Sequence, residues 1–407
     1  GSFTITVPAA AARGQQASVT ARFLGYKPMT KTITLSAGTQ EVNFSLVRDP
    51  FRLEEIVTTG VGEATQLKKT TFTVGRVDEE QMKEVPGASA LVAIQGKVAA
   101  VRLVPTSAQP GGEVSLRLRG ATSIGGRQDP LFIVDGVITQ FGLADIASDD
   151  VERVEIIKGA AASSLYGSNG ANGVVQVFTK RGSALADGSL RVSVSSELGS
   201  NAMPNEMQFS HSHAWQVDGA GDYILAGGQR QLEADGIADN PFKTYINHWD
   251  EIVKTGLYAT QYVSVGQRRG PTNFNASVQN TKNEGVIFGL GGYNRQNYRL
   301  NLDQRLRSDL DASFSAFFGK STNGRAAEGQ GSPFYQLMFL QPDVDITALN
   351  DDGTPYRATV PLSNDVANDA NPLYELYNRK IENDRSRFSG ASRLRWRMND
   401  WLSAEGN

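Results

Sequence analysis

Gly111-Gly112-Glu113-Val114-Ser115-Leu116-Arg117-Leu118-Arg119-Gly120 leads through Pro130-Leu131-Phe132-Ile133-Val134-Asp135-Gly136 into Val151-Glu152-Arg153-Val154-Glu155-Ile156-Ile157-Lys158-Gly159. Tyr166-Gly167-Ser168-Asn169-Gly170-Ala171-Asn172-Gly173-Val174-Val175 and Thr179-Lys180-Arg181-Gly182 follow. Val114, Leu116 and Leu118 share one face of an extended segment that Gly120 ends, with Ser115, Arg117 and Arg119 on the other face. Asp135-Gly136, set between two apolar runs, predicts a hairpin, because a type I′ turn needs positive φ at both central residues. Residues 160–166 suit a short helix, with Gly167 expected in the left-handed conformation that ends it. Asn172-Gly173 then turns into a strand over 174–179. Strands mixed with isolated short helices predict an α+β domain and not a wound α/β one.

Upstream, Phe72, Val74 and Val77 alternate as a strand, and Ala90, Leu91, Ile94 and Val98 have helical spacing after a start at Gly87-Ala88-Ser89. Residues 1–48 alternate apolar and polar at Phe3, Ile5 and Val7, at Val19, Ala21 and Phe23, at Ile33 and Leu35, and at Val42, Phe44 and Leu46. Short strands punctuated by Pro8, Gly25, Pro28 and Gly38 predict a small β-sandwich. Pro50 closes it, since the residue before a proline is biased to extended conformations. The run Leu53-Glu54-Glu55-Ile56-Val57-Thr58 follows, ahead of Gly60. Its β-branched residues between breakers predict a short exposed extended segment, suited to pairing with the edge of another sheet.

Beyond Gly182 the texture changes to alternating segments of about ten residues, the pattern of strands in a transmembrane barrel. Tyr298, Leu300 and Leu302 oppose Arg299, Asn301 and Asp303; Leu310, Ala312, Phe314 and Ala316 oppose Asp311, Ser313 and Ser315; Phe388, Leu394, Trp396 and Met398 oppose Arg387, Arg393, Arg395 and Arg397. One face suits lipid and the other water. Residues 193–198, 258–267 and 274–281 read as shorter members, and Asp309 and Asn399-Asp400 as tight turns. Polar loops are expected over 201–256 and 322–384, the first holding a helical run Ile246, Trp249, Ile252 and Val253 that Gly256 caps. A soluble sandwich is the competing reading of 183–407, and a plain linker strand that of 53–58.

Composition agrees with folded protein: of 407 residues, 40% are hydrophobic and 20% charged. A net charge of -3 with interspersed signs gives no basic surface for nucleic acid. With no cysteine there are neither disulfides nor thiolate metal sites. No apolar run reaches the ~18 residues of a spanning helix, a limit that does not touch spanning strands. The chain opens without a signal-like segment, and both ends fall inside alternating runs, so a longer parent chain is expected on either side.

The series over 111–182 resembles the plug domain of TonB-dependent outer-membrane transporters, and more narrowly their SusC/RagA branch. The branch carries a similar Arg-Gly after an alternating strand, a "PL-hydrophobic-DG" hairpin, a "VE-hydrophobic-K" strand and a "YGS-GANGV" loop. Residues 1–48 resemble the second half of a carboxypeptidase-regulatory-like domain. Residues 53–58 match the position and pattern of the TonB box, with Thr58 in place of an apolar residue and Val61 where a tyrosine is common. "HWDEIVKTG" and the strands after it resemble the early barrel. The resemblance implies a mostly β chain: a partial β-sandwich (1–48), a linker with the TonB-box-like segment (49–70), an α+β plug (71–182), and the first six or so strands of an incomplete transmembrane antiparallel β-barrel (183–407).

It also implies TonB-dependent import of an oligosaccharide or oligopeptide across the outer membrane of a Gram-negative-type bacterium, with the plug and the amino-terminal domain facing the periplasm. TonB, binding at Leu53, Glu54, Glu55, Ile56, Val57 and Thr58, and a SusD-like surface lipoprotein are the implied partners. Inside a barrel an arginine needs a partner to offset desolvation, so Arg117 and above all Arg119 are expected to lock the plug to acids of the wall, most of them on strands beyond residue 407. Gly120, Asp135, Gly136, Gly167, Asn172 and Gly173 are the expected plug turns. A TonB-linked signal-transducing receptor and a non-transporting β-rich surface binding protein are the alternatives.

No cofactor, metal or enzymatic activity is expected. Gly319-Lys320-Ser321-Thr322 lacks the first glycine of a P-loop, since Phe314 stands there. His211 and His213 lack a third ligand, and Asn350-Asp351-Asp352-Gly353 lacks the closing glutamate of a calcium loop. Glu54-Glu55 and Asp149-Asp150 are adjacent carboxylates that point apart on a strand and make no acid/base pair. No nucleophile, base and orienter set emerges.

Overall fold

In the computed structural model, residues 4–6, 14–21, 29–36, 38–45, 56–57, 65–66, 74–83, 89–99, 101–107, 109–118, 120, 128–139, 142–183, 185–355, 371–399 and 402–406 are described. The chain divides into two units, Gly1–Val74 and Gly75–Asn407. In the first, β1 (Gln16–Ala21) and β2 (Met29–Thr34) pair antiparallel in register from Gln16↔Thr34 to Ala21↔Met29. This ladder is the part of the expected sandwich that the described residues hold. Two-residue strands β3 (Ile56–Val57) and β4 (Thr65–Gln66) form a second ladder, Ile56↔Gln66 and Val57↔Thr65.

The second unit opens with a plug built on β5 (Val74–Asp78), α1 (Glu79–Lys83), α2 (Ala90–Ala93), β6 (Val101–Pro105), β7 (Val114–Leu118), β8 (Leu131–Val134), β9 (Val137–Thr139), β10 (Val151–Ile157), α3 (Ala160–Tyr166) and β11 (Val174–Thr179). The mixed sheet runs β5-β10-β11-β8-β9, with β10 and β11 antiparallel and β11 and β8 parallel. Val154, Ile156, Val175 and Val177 pack from the sheet against Ala90, Leu91 and Ile94 of the helical segment, and Leu116 and Leu118 close this core. β6 and β7 form a separate ladder that pairs Arg102 with Arg117. The helical spacing over 90–98 marks buried positions correctly, although the helix itself covers only Ala90–Ala93.

The turns behave largely as expected. Asp135 (φ 49) and Gly136 (φ 89) both take positive φ between β8 and β9. Gly173 (φ 97) turns the chain into β11, where an added Cβ would lie 2.5 Å from Leu118 Cδ1. Gly167 ends α3 at φ 62 but ψ -148, so it has the positive φ without the left-handed helical ψ.

Past Gly182 lies an antiparallel wall. Its first strand is β12 (Leu190–Asn201); the ribbons β13 (Ser212–His213), β14 (Leu225–Ala226), β15 (Gln229–Arg230) and β16 (Asn240–Pro241) and the helix α4 (His248–Ile252) fill the first long connection. The wall continues with β17 (Gly256–Arg269), β18 (Thr272–Asn283), β19 (Gly292–Arg307) and β20 (Leu310–Arg325). After helices α5 (Pro333–Leu337) and α6 (Pro372–Asn378) in the second long connection, β21 (Ile381–Arg397) and β22 (Ser403–Gly406) complete it. The sheet order is β12-β17-β18-β19-β20-β21-β22, a meander whose first and last strands do not pair with each other. Tyr298, Leu300, Phe314, Phe318, Phe388 and Trp396 are exposed on its outer face, while Arg299, Asn301 and Ser315 are buried against the plug. Such apolar-out, polar-in alternation is what a lipid-facing barrel wall requires. The chain is mostly β, with an α+β plug beside an incomplete barrel.

The strands are longer than the alternation alone predicts, and the long loops are not merely polar. Trp249, Ile252, Ile287, Leu337, Leu340, Ile346, Leu373 and Leu376 form a second core between the two long connections. Asn247 caps α4 by accepting from Trp249 N, and the helix ends at Val253. Gly256, expected as its cap, instead opens β17, where a Cβ would collide with Gly285 O. Among the described residues no helix is long and apolar enough to cross a membrane, which says nothing about strands.

Candidate functional site

The plug meets the wall through polar side chains. Asp150, at the end of a 3-10 turn (Ser148–Asp150) ahead of β10, accepts hydrogen bonds from Tyr262 Oη on β17 (2.9 Å), from Ser277 Oγ on β18 and from Arg299 Nε on β19 (3.3 Å). Both side chains of the Arg299–Asp150 pair are only 2% exposed. Asp135, held outward by the β8–β9 turn, lies 3.7 Å from Arg299 Nη1. It also accepts from Thr179 N (2.9 Å), Thr179 Oγ1 (2.6 Å) and Ser315 Oγ (3.4 Å). Asn301 Nδ2 donates to Thr179 Oγ1 (2.7 Å) and Lys180 O (2.8 Å), and Phe317 stacks under the Arg299 guanidinium with 4.9 Å to the ring centroid. One wall cation thus holds two plug acids in a site screened from water, where charge-assisted bonds are strongest and loss of a partner is most costly.

Toward the long-loop end the contacts of β19 stay buried and those of β21 are partly exposed. Asn297 Nδ2 donates to Asp145 O (2.8 Å), Arg295 to Ala144 O, and Arg387 pairs with the Asp145 carboxylate. Arg385 Nη2 lies 2.7 Å from Glu113 Oε1. The Gln109 side chain bonds both backbone groups of Ala326 (2.8 and 3.1 Å). Toward the short-turn end, Arg181 Nη1 meets Asp303 Oδ1 at 2.8 Å, and Gly182 at φ 74 passes so close to Phe274 O that a Cβ would lie 2.6 Å from it. There Lys83 and Lys180 hold the Glu79 carboxyl below the usual range, against the opposing pull of its burial. Burial pushes Asp149 up, more than Lys180 beside it relieves.

The loop unit has its own polar joint. Arg230 and Asp343, 3% and 7% exposed, pair at 2.6 Å across the two long connections, and Tyr223 Oη donates to Asp343 Oδ2 (2.6 Å) while its ring lies under Arg230. Burial lowers the affinity of His213 and His248 for a proton. His211 stacks on Tyr245, and His213 packs between Tyr223 and Phe242. Among the described residues no group of three or more His, Asp or Glu is placed to hold a metal. Asn350 to Gly353 closes a turn through Gly353 N and Asn350 O (2.9 Å), and Gly319, Lys320, Ser321 and Thr322 lie inside β20.

Residues 66–174 match the TonB-dependent Receptor Plug Domain family. TonB-dependent receptor P26 of Formosa agariphila is 29% identical over 85% of this chain and 34% of its own length. TonB-dependent receptor SusC of Bacteroides thetaiotaomicron is 29% identical over 39% of this chain and 16% of its own. The chain carries the plug domain of TonB-dependent receptors and is similar in sequence to receptors of the SusC type. In fold, this receptor chain is similar to the RagAB peptide importer in its open-open state, with a TM-score of 0.69 at 21% identity over 86% of this chain and 41% of that one. It spans about a third of the length of the Formosa receptors it matches.

In this chain the expected site residues fall in different places. Leu53, Glu54, Glu55 and Thr58 lie outside the described residues, while Ile56 and Val57 are the strand β3. Arg119 also lies outside them. Arg117 is half-buried in β7 and makes no ion pair to a described wall residue. Gly120 is exposed, and Asp135, Gly136 and Gly173 occupy turns as expected. Asp135 has a second role that turn chemistry does not announce. Asp150, Arg299, Tyr262 and Ser277 were not anticipated, because a carboxylate pair and an alternating arginine each look like solvated residues until sheet and plug are brought together.

Proposed function

We propose that this chain is the amino-terminal portion of an importer that moves a nutrient oligomer, an oligosaccharide or an oligopeptide, across the bacterial outer membrane under TonB control. Its parts are the sandwich tail (1–48), the linker with the TonB-binding segment 53–58 (49–70), the plug (71–182) and the first barrel strands (183–407). TonB adds a strand to the extended segment and pulls. The plug then shifts in the barrel and opens a path, while a SusD-like lipoprotein caps the outer side.

One observation carries the reading. The plug coheres through an apolar core of its own, yet its hold on the wall is polar, concentrated at Arg299 with Asp150 and Asp135. An interface of hydrogen bonds can exchange its partners for water once opened, whereas separating two halves of an apolar core cannot. Pulling therefore separates plug from wall before it strips the wall.

These 407 residues hold no cysteine, so a full-length receptor with any cysteine elsewhere replaced gives a clean test. Thr179→Cys with Asn301→Cys places two thiols where the native side chains meet at 2.7 Å. Oxidation of the full-length receptor is expected to abolish TonB-dependent uptake, and reduction to restore it. Uptake unchanged by the cross-link would overturn gating by plug movement; ligand binding with no uptake in either state would favour a signalling or surface-binding receptor.

A further inference from the structure

Toward the long-loop end the facing surfaces of plug and wall carry opposite charge. On β19, β20 and β21, the positions turned toward the plug, from the long-loop end down to the level of Asn301, include Arg295, Arg299, Arg325, Arg385 and Arg387 and, among the described residues, no carboxylate. Inward acids on these strands appear only at Asp303 and Asp311, beside the short turn. The acids that meet the inward arginines belong mostly to the plug: Asp135 and Asp150 at Arg299, Asp145 at Arg387, Glu113 at Arg385. Arg325 pairs locally with Glu328.

These pairs are of two kinds. Arg299 is sealed, Arg387 and Asp145 are 27% and 19% exposed, and Arg385 and Glu113 are 36% and 67% exposed within this open portion of the wall; both arginines of β21 line a cavity of about 850 Å³ between plug and wall, together with Arg295, Asn323 and Tyr293. Exposed ion pairs contribute little and exchange readily. Arginine binds carboxylates through a planar fork that serves a ligand as well as it serves a neighbouring residue. The register sets a lattice: Arg295 lies across Ser321 from Arg385, about 10 Å away over two strand spacings, and Arg387 is about 7 Å further along β21.

We infer that Arg385 and Arg387, backed by the buried Arg295 that holds Ala144 O and Gln279, form a cargo-binding strip selective for oligomers carrying repeated carboxylates, and that Glu113 and Asp145 occupy the strip in place of cargo until cargo or plug movement displaces them. The inference rests on the import reading and names the cargo class. An acidic peptide and an acidic oligosaccharide present the same chemistry.

The test is binding to the purified full-length receptor, by calorimetry at low and high salt, of hexaglutamate against hexaglutamine and of a galacturonic acid hexamer against its methyl ester. One acid series is expected to bind roughly tenfold or more tighter than its neutral twin, with a preference that fades as salt rises, and the series that binds identifies the source. Arg385→Gln with Arg387→Gln should erase the preference in protein that keeps its heat-modifiable migration. Glu113→Gln, which frees Arg385, should tighten acid binding instead. Neutral oligomers bound equally well, neither acid bound, or a preference surviving in the double variant would each overturn the strip. Uptake measured with and without TonB judges the import reading separately: TonB-independent uptake of a selectively bound acid would refute gating and leave the strip standing.

Discussion

Arg299→Met is the sharpest probe of how the plug is held. Methionine keeps much of the apolar stem over Phe317 and removes the cation that both Asp150 and Asp135 face at 3.3 and 3.7 Å. Breaking a buried pair by deleting one partner costs about 3–5 kcal/mol. Tyr262, Ser277, Thr179 and Ser315 still donate to the two carboxylates, which places the cost at the low end, about 3 kcal/mol. At about 1.4 kcal/mol per tenfold, plug opening becomes roughly a hundredfold more frequent. Asn301 and Ser315 of the wall cover Thr179 and Asp135, so the Thr179 amide, which donates to Asp135, meets solvent once plug and wall part, and hydrogen exchange at this amide, within a peptide spanning 174–180 of the full-length receptor, reads that opening. Asp150→Asn should cost less, about 1–2 kcal/mol, because Arg299 keeps Asp135. Exchange over 174–180 should therefore rise about a hundredfold in Arg299→Met and about tenfold in Asp150→Asn, with β20 unchanged in both. Equal effects, no effect, or an equal acceleration of β20 would refute the reasoning.

Ile56→Pro removes a backbone donor from β3, and TonB-dependent uptake should be lost with the amount of folded barrel unchanged, as judged by heat-modifiable migration. Gly173→Ala puts a Cβ 2.5 Å from Leu118 Cδ1 and 3.0 Å from Ile157 O at φ 97; the plug should lose about 1–3 kcal/mol, seen as faster exchange in β10 and β11. His213 and His248 have folded-state affinities for protons below the unfolded one, chiefly through burial, with Asp343 near both and Glu251 and Asp345 near His248 opposing the shift. Their contribution is therefore full above the unfolded value of about 6.5 and is lost as pH falls from there through the lower folded values. Emission from Trp215 and Trp249 should report loosening of the loop unit on acidification, a response that His248→Gln weakens.

Much of the plug was legible because its turns obey local rules. Asp135-Gly136 must take positive φ whatever surrounds it, and the 2-residue period of β19 and β20 states which face is dry. The loop unit was not legible in the same way. Its core draws Trp249, Ile287, Leu337, Ile346 and Leu376 from segments far apart in the chain, each too sparse in apolar residues to announce burial by itself. Gly256 misled for a related reason: beside a short helix it looks like a cap, but the close approach of Gly285 across β17 is what requires it. The hold on the plug was legible only in part. Arg119 lies outside the described residues, where most plug–wall ion pairs run from an arginine on the wall to an acid of the plug and Arg181 with Asp303 runs the other way. An aspartate at the end of an element reads as turn chemistry until the residue across the interface is known.

In the proposed import cycle the plug is the movable part and the wall the fixed one. Force applied to the amino-terminal end of the full-length receptor in a membrane, one molecule at a time, tests it most directly. Residues 75–182 should release first, a lengthening on the order of 380 Å at about 3.5 Å per residue, with the wall still folded. Wall strands yielding before the plug, or the whole molecule unfolding in one step, would contradict it.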